Sequence, residues 1–364
     1  MNKELLGYKY HFITIVLLLG YAFMHTQLTG FYSALSFNDL MDFSVRLPFG
    51  QRVLVPGLVN LVARILPLEA EHLFFLMEWI FISLFYFALF SLIQREFTRP
   101  QARLLSWLFI LLLPLVTVVN YRFQSGGVAT FFYPSDTAAL FFMAIGFFLC
   151  LKEQWILFVP LVFLATLNRE SAILLVLMIP ALHWQKRREI IKPIAYSLLA
   201  YILARLAILW FLAGVPGELM EWYANDRVTT HFASNLHWLL SKQNILLLMF
   251  CFAGLPLFWF AFIYYIPKRF RPLRYVALFY FMGLLLVGNF MEARIFSEIV
   301  VLLYFPVCIG LKNWLLKPES VRLDNLGFVD YFNRYVVLAV LFVVVVFRQP
   351  LNHCLVLWLG SGTY

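Results

Sequence analysis

The stretch Leu167-Asn168-Arg169-Glu170-Ser171 places a charged pair between two short apolar runs, residues 155–167 and 172–184. An ionised side chain near the centre of a membrane helix costs roughly 2.5–3.5 kcal/mol to insert, so ionisable residues at membrane depth indicate a functional site. A helix of about thirteen residues rises only about 20 Å, whereas the hydrocarbon core is about 30 Å thick. The sequence therefore predicts two short helices that meet at this stretch and hold its charged pair in a recess below one membrane surface.

The composition is that of a membrane protein. Of 364 residues, 63% are hydrophobic and only 13% are charged, whereas soluble domains are about 45–50% apolar. Apolar runs such as residues 11–31 and 73–93 are long enough to cross a bilayer. We therefore predict an all-α, polytopic, single transmembrane domain over residues 1–364, with about 11 transmembrane helices. An interfacial helix is expected in the first outer loop, residues 32–72, and a second large outer loop is expected at residues 215–243.

The charge distribution predicts the orientation. The net charge is +9, and excess Lys and Arg in a membrane protein usually lies in cytoplasmic loops, so no nucleic-acid partner is expected. Basic clusters fall on one side when the N-terminus is cytoplasmic, which predicts a multi-pass protein of the plasma (inner) membrane. The four cysteines are scattered without a CxxC pattern, so the sequence indicates neither a zinc site nor a disulfide framework. A divalent metal is possible but not required.

This orientation brings the candidate site residues to the non-cytoplasmic face. They are Asp39, Asp42, Arg52, Asp136, Arg169, Glu170, Glu292 and Arg294. Asp39 and Asp42 lie three residues apart, and either could act as a general base; the alternative is that they sit at a helix N-terminus, where Asp is favoured.

The remaining candidates are expected to bind substrate. Arg52 and Arg169 suit a phosphate, because a guanidinium makes bidentate contacts; for Arg52 a lipid-headgroup contact is an equal alternative, and Arg169 with Glu170 could be a purely structural buried pair. Adjacent helical residues do not face each other, so we expect Arg169 and Glu170 to reach different partners. Asp136 precedes a predicted span and could instead be an N-cap. Glu292 and Arg294 repeat the pattern of paired charges at the end of a later span.

Some polar residues receive structural interpretations. Glu78 and Arg205 lie within predicted spans, and we expect them to form a structural ion pair. His25 is expected to pack rather than to react, and the outer histidines His72, His231 and His237 form no recognisable motif with acids.

Three motifs resemble a known family. Pro48-Phe49-Gly50-Gln51-Arg52-Val53-Leu54-Val55-Pro56, Asn168-Arg169-Glu170-Ser171 and Glu292-Ala293-Arg294 are similar to motifs of uncharacterised bacterial members of the GT-C superfamily of integral-membrane glycosyltransferases. The resemblance implies a GT-C-like fold and a lipid-linked sugar donor, polyprenyl phosphate or diphosphate, used at the outer membrane face in cell-envelope glycan synthesis. It also implies Asp39 or Asp42 as the base, and Arg52, Arg169 and Arg294 at the lipid phosphate.

Other classes of function remain open at this level. A multi-span transporter or flippase for a lipid-linked or small anionic substrate would place paired charges within discontinuous helices, and usually shows an internal repeat, which we do not find. A different lipid-linked enzyme, such as a polymerase or acyltransferase, and a non-catalytic assembly subunit are the further alternatives. The sequence does not indicate an oligomeric state.

Overall fold

A computed structural model describes residues 3–30, 36–119, 131–217, 231–240, 244–290, 292–316 and 328–359. Within these residues the chain is helical and forms no strand beyond two isolated bridges, which confirms the all-α prediction. The chain divides into two compact units. The first comprises Met1–Val119 and Val128–Met220, and the second comprises Asn120–Gly127 and Glu221–Tyr364. Each is described by itself.

The described part of the first unit contains nine α-helices. They are α1 Lys3–Gln27, α2 Phe37–Met41, α3 Leu54–Ala63, α4 Ala70–Ile93, α5 Arg99–Thr117, α6 Ser135–Leu151, α7 Trp155–Asn168, α8 Ile173–His183 and α9 Arg187–Phe211. Short 3₁₀ turns, Phe49–Gln51, Glu170–Ala172 and Trp184–Lys186, connect some of them. A short helix, α3, is present in the segment where the interfacial helix was expected.

The core of the first unit lies around α4 and α6. Most residues of α6 are buried. The side chains of Phe85 on α4, Phe109 on α5 and Phe147 on α6 are at most 1% exposed. Local signals fix where the helices begin. For example, Thr98 and Gln101 form a capping box at the start of α5, and Pro100 occupies its first turn, where its missing N–H costs nothing.

The break predicted around residues 168–171 is present. The helix α7 ends at Asn168, Arg169 is extended with φ −162° and ψ 142°, and a 3₁₀ turn then leads into α8. The chain reverses direction again after α8. A hydrogen bond shows this: the Tyr201 hydroxyl of α9 donates to the Glu170 carbonyl oxygen at 3.1 Å. A straight helix would separate residues 31 positions apart by about 46 Å. The helices α7, α8 and α9 therefore form a compact zigzag with the charged pair at one corner.

The reversal between α8 and α9 is tighter than the sequence suggests. From the sequence alone, the basic run at residues 185–193 predicts a loop, but a 3₁₀ turn at Trp184–Lys186 is followed at once by α9. This expectation was wrong because a basic run is compatible with a helix end when its charged groups reach water. Arg187 and Arg188 are exposed in the first turn of α9.

The described part of the second unit contains seven α-helices. They are α10 His231–Leu240, α11 Asn244–Cys251, α12 Leu255–Phe262, α13 Leu273–Val287, α14 Ser297–Leu316, α15 Phe328–Val346 and α16 Arg348–Leu359, with a 3₁₀ turn at Ala293–Phe296 before α14. Of the second large outer loop expected at residues 215–243, residues 218–230 and 241–243 lie outside the described residues, and α10 occupies much of the remainder.

One predicted span of the second unit is broken. Residues 244–266 were expected to form one helix, but α11 and α12 meet at 83°. Ala253 and Gly254 have positive φ angles of 50° and 71°, and Pro256 lies in the first turn of α12. A left-handed pair followed by proline cannot continue a helix.

Several helices are long and apolar enough to cross a membrane. Within the described ranges four segments meet this condition, or up to six if each of two bent pairs counts as one span. The four are Ala70–Ile93, Arg99–Thr117, Glu170–Phe211 and Ala293–Leu316. The third segment contains α8 and α9 and folds back on itself, so that Tyr201 contacts the Glu170 carbonyl oxygen. The chain is accordingly described as a membrane protein, and the expected count of 11 spans is not confirmed.

Candidate functional site

The centre of the candidate site is a buried ion pair. Nη1 of Arg169 lies 3.1 Å from Oδ1 of Asp136, and these side chains are 5% and 0% exposed. Asp136 occupies the first turn of α6, whose N-cap position is taken by Pro134, so the N-cap interpretation of Asp136 was wrong. The two predicted residues are thus brought together across α6 and the break after α7.

Asn168 connects the helix break to the first turn of α6. Nδ2 of Asn168 donates to the Ser135 carbonyl oxygen at 2.9 Å. Oδ1 of Asn168 and the Ser135 hydroxyl are buried without a hydrogen-bond partner within the described residues. Buried polar atoms are usually paired, and those that are not require an explanation such as a ligand or water.

Glu170 lies within a group of cations that includes Arg169. Its residue surface is exposed, unlike that of Arg169. The guanidinium groups of Arg52, Arg169 and Arg205 all lie close enough to interact electrostatically with its carboxylate. Arg169 forms its ion pair with Asp136, as the expectation of different partners requires, but its guanidinium group also lies near the Glu170 carboxylate, so the two residues are not separated from each other.

Arg52 reaches this cluster from the start of α3. Its guanidinium carbon lies 5.0 Å from the centroid of the Tyr133 ring, a cation–π contact that fixes the side chain. The preceding segment is anchored where the Leu47 amide donates to the Pro216 carbonyl oxygen at 2.9 Å. Nη1 of Arg52 is buried and has no hydrogen-bond partner within the described residues.

Arg205 reaches the cluster from α9 and has a different partner from the one expected. Its Nη2 donates to Oε1 of Gln51 at 2.6 Å, and its Nη1 is buried without a hydrogen-bond partner in the described part of the chain. Glu78 instead contacts His25 and Thr137. The expected ion pair between Glu78 and Arg205 was therefore wrong. The sequence could have flagged Arg205 as functional, since it is a charge within an apolar helix.

The five charged groups leave an excess of positive charge. Three guanidinium groups, those of Arg52, Arg169 and Arg205, face two carboxylates, those of Asp136 and Glu170, which leaves one net positive charge. Two of the guanidinium groups, those of Arg52 and Arg205, retain a buried nitrogen that is unpaired within the described part of the chain. A charged cluster in a membrane protein is stable when its charges balance. The cluster therefore favours an anion that supplies one further negative charge and several acceptor oxygens.

An apolar pocket adjoins the ion pair. Its volume is only about 10 Å³, which is about enough for one water molecule, and it is lined by Arg169 together with small and apolar side chains of α6, α7 and α8. Ala139, Ala165 and Ala172 are among them. The pocket arises because small residues surround the helix break.

The two predicted catalytic residues lie in a separate turn of the first unit. Asp39 is exposed in α2, where its carboxylate accepts from the Ser36 hydroxyl at 2.6 Å and from the Ser44 hydroxyl at 3.4 Å. Ser36 is the N-cap of α2, so Asp39 takes part in a helix start, as the alternative interpretation proposed. Asp42 is the exposed C-cap of the same helix. The contacts that join Arg52, Asp136, Arg169 and Glu170 do not include either residue, and their role as base stays a prediction.

The other predicted pair lies in the second unit. Nη2 of Arg294 donates to Oε2 of Glu292, and Arg294 is 4% exposed. Burial lowers the pKa of His231 on α10, while the carboxylate of Glu292 opposes that shift. His231 and Glu292 are far apart in the sequence, so no sequence motif of the outer histidines indicated that these two groups interact.

Within the ranges that the structure describes, no group of three or more His, Cys, Asp or Glu side chains is placed to hold a metal ion. The charged groups of the arginine cluster are guanidinium groups and the carboxylates that face them. Comparison of the chain with protein-family models, with curated proteins and with solved structures finds no match.

Proposed function

We propose that this protein is a membrane glycosyltransferase that moves a sugar from a polyprenyl-phosphate donor to an acceptor hydroxyl at the non-cytoplasmic face of the plasma membrane. The observation that carries the proposal is the arginine cluster around Glu170, in which Arg52 and Arg205 each keep a buried guanidinium nitrogen that has no hydrogen-bond partner among the described residues. The resemblance of the three motifs to GT-C enzymes supports the same reaction.

The cluster suits the leaving group of such a reaction. Transfer of a sugar leaves negative charge on the departing phosphate, and fixed cations in a water-poor site stabilise that charge. A polyprenyl phosphate supplies the negative charge and the acceptor oxygens that this cluster of cations favours.

The acceptor side of the reaction requires a carboxylate. Glu170 is the exposed acid beside the guanidinium groups, and we assign it to orient the acceptor hydroxyl or the arginines. Asp39 and Asp42 remain the proposed bases. Glu292 and Arg294, which pair with each other within the second unit, remain predicted substrate-binding residues.

The proposal can be tested without knowing the sugar, because the spent carrier is the same for every sugar. Binding of polyprenyl phosphate to the reconstituted full-length chain should weaken at least about tenfold in Arg52→Gln and in Arg205→Gln, since a hydrogen bond to a charged group contributes about 1.5–3 kcal/mol. The matched control is Arg64→Gln, an exposed arginine just after α3. Unchanged affinity in both variants, or equal binding of the uncharged polyprenol, would refute the assignment of the cluster to phosphate.

The catalytic roles need a second measurement, the consumption of lipid-linked sugar. Asp39→Asn, Asp42→Asn and Glu170→Gln should be compared in vesicles at saturating donor. We expect the variant of the base to lose about two to four orders of magnitude in rate while still binding polyprenyl phosphate. Normal turnover in all three variants would contradict an enzyme that uses these carboxylates.

A transporter or flippase for a lipid-linked or anionic substrate is the second candidate. The broken helix at Arg169 and the 83° bend between α11 and α12 favour it, because discontinuous helices form many transporter sites. Movement of labelled polyprenyl phosphate between leaflets of empty vesicles, without any sugar transfer, would decide for this function.

A further inference from the structure

The Arg205 guanidinium is held in the arginine cluster by a neutral side chain. Its Nη2 donates to Oε1 of Gln51 at 2.6 Å, and Gln51 is only 5% exposed. Arg169, by comparison, is paired with a carboxylate, that of Asp136. A carboxylate cancels the charge of the guanidinium that it binds, whereas an amide oxygen accepts the hydrogen bond and leaves that charge in place. The two contacts therefore differ in how much positive charge they leave for a ligand.

Gln51 belongs to the turn that leads directly to Arg52. It is the last residue of the 3₁₀ turn Phe49–Gln51, where its own amide donates to the Pro48 carbonyl oxygen at 3.2 Å. Because Gln51 and Arg52 are consecutive, the hydrogen bond from Arg205 ties α9 to the backbone that carries the second arginine. This one bond thus sets where Arg205 lies relative to Arg52.

Arg205 needs such a contact because of its place on α9. It lies within a segment that is long and apolar enough to cross a membrane, and its neighbours Ile202, Leu203 and Leu206 are exposed. Long cationic side chains on membrane helices tend to extend toward the headgroups, where water and phosphates solvate the charge. Gln51 opposes this movement, since it gives Nη2 of Arg205 an acceptor oxygen inside the cluster.

We propose that Gln51 is a positioning residue of the phosphate site, which holds Arg205 in the cluster and leaves its positive charge to the ligand. This inference rests on the proposed binding of polyprenyl phosphate to the cluster. Three guanidinium groups face two carboxylates there, so one positive charge is left over only while residue 51 is neutral. Nη1 of Arg205, which is buried and has no hydrogen-bond partner among the described residues, is the atom that the ligand would contact.

The substitution Gln51→Glu separates affinity from stability. The carboxylate keeps an acceptor oxygen for Arg205 and adds an opposite charge, so the thermal midpoint of the reconstituted full-length chain should not fall. Binding of polyprenyl phosphate should nevertheless weaken at least about tenfold, because the ligand then meets a third carboxylate and no excess positive charge. The matched control is Gln94→Glu, the same change at an exposed position after α4, which should bind normally.

Two results of this experiment would overturn the proposal. One is wild-type affinity in Gln51→Glu, because the charge of residue 51 would then not matter to the ligand. The other is weaker binding together with a lower thermal midpoint, which indicates a purely structural role.

A second variant tests whether Gln51 acts through Arg205. Gln51→Leu removes the acceptor oxygen and should weaken binding about two- to tenfold, which is the contribution of an ordinary hydrogen bond. The same substitution made in Arg205→Gln should cause no further loss, since the guanidinium that Gln51 positions is already absent. Losses that add in the double variant would contradict a role through Arg205, and this result decides even if Gln51→Glu does not fold.

The outcomes also separate this inference from the proposed function. If Arg52→Gln and Arg205→Gln weaken the binding of polyprenyl phosphate but neither Gln51 variant does, the cluster binds phosphate and only the role of Gln51 is wrong. If none of these variants changes the affinity, the cluster does not bind phosphate and both proposals are wrong.

Discussion

The buried pair of Asp136 and Arg169 allows a quantitative test of the site. At 3.1 Å and an effective dielectric constant of about 20, two opposite unit charges attract by about 5 kcal/mol. Removal of either partner leaves an unbalanced charge in a buried position, which typically costs about 3–5 kcal/mol. Asp136→Asn and Arg169→Gln should each destabilise the first unit by about 3–5 kcal/mol.

The double variant should be more stable than the sum of the single effects predicts. With both charges absent neither residue of the pair is left as a buried charge without its partner, so we expect a coupling energy of several kcal/mol from the double-mutant cycle. Unfolding by a denaturing detergent in mixed micelles provides the measurement. The same cycle for the exposed pair of Glu153 and Lys186, 2.7 Å apart, is the control and should give a much smaller coupling. A coupling below about 1 kcal/mol, the usual value for exposed pairs, would refute the burial of Asp136 and Arg169.

Three further predictions concern other parts of the chain. The hydrogen bond from Lys186 holds the pKa of Glu153 below its ordinary value of 4.5, so this pair should stabilise the folded state above that pH and lose its effect as the pH falls through the lower folded value. Thermal midpoints measured across this range should therefore converge for the wild type and Lys186→Ala at acidic pH. Asn235→Ala should cost at least about 2 kcal/mol of unfolding free energy in detergent, because it removes bonds of 2.7–3.0 Å to three backbone groups; an isosteric Asn235→Asp variant that loses nothing would contradict this account. Gly217→Ala should cost more than about 1 kcal/mol, since the glycine has φ +117° and a Cβ there would lie 2.6 Å from the Leu47 carbonyl oxygen; unchanged stability in the same assay would contradict the close approach.

The local features of the site follow from the sequence. A charged pair between two apolar runs that are each too short to cross a bilayer predicts a helix break, and the structure places the break at Arg169. The short helix α3 follows from an apolar segment with proline in its first turn. Both inferences depend only on residues that are neighbours in the chain.

The pairing of distant residues could not be predicted in the same way. Arg205 and Gln51 are 154 positions apart, and Glu78 and His25 are 53 apart, so their contacts depend on how the helices pack. The apolar faces of membrane helices are chemically similar, and periodicity alone does not select which of them meet. A charge within an apolar helix therefore indicates that a partner is needed, without identifying that partner.

The structure separates two neighbouring positions by their surroundings. Arg169 is buried and paired with Asp136, whereas Glu170 is exposed and its carboxylate lies near Arg52, Arg169 and Arg205. Among natural variants of this chain, residues 136 and 169 should accordingly change together or not at all, since either change alone leaves a buried charge without its partner. Position 170 should follow the chemistry of the bound molecule. Two adjacent residues of one short motif are thus expected to be constrained for different reasons, Arg169 by folding and Glu170 by the ligand that it contacts.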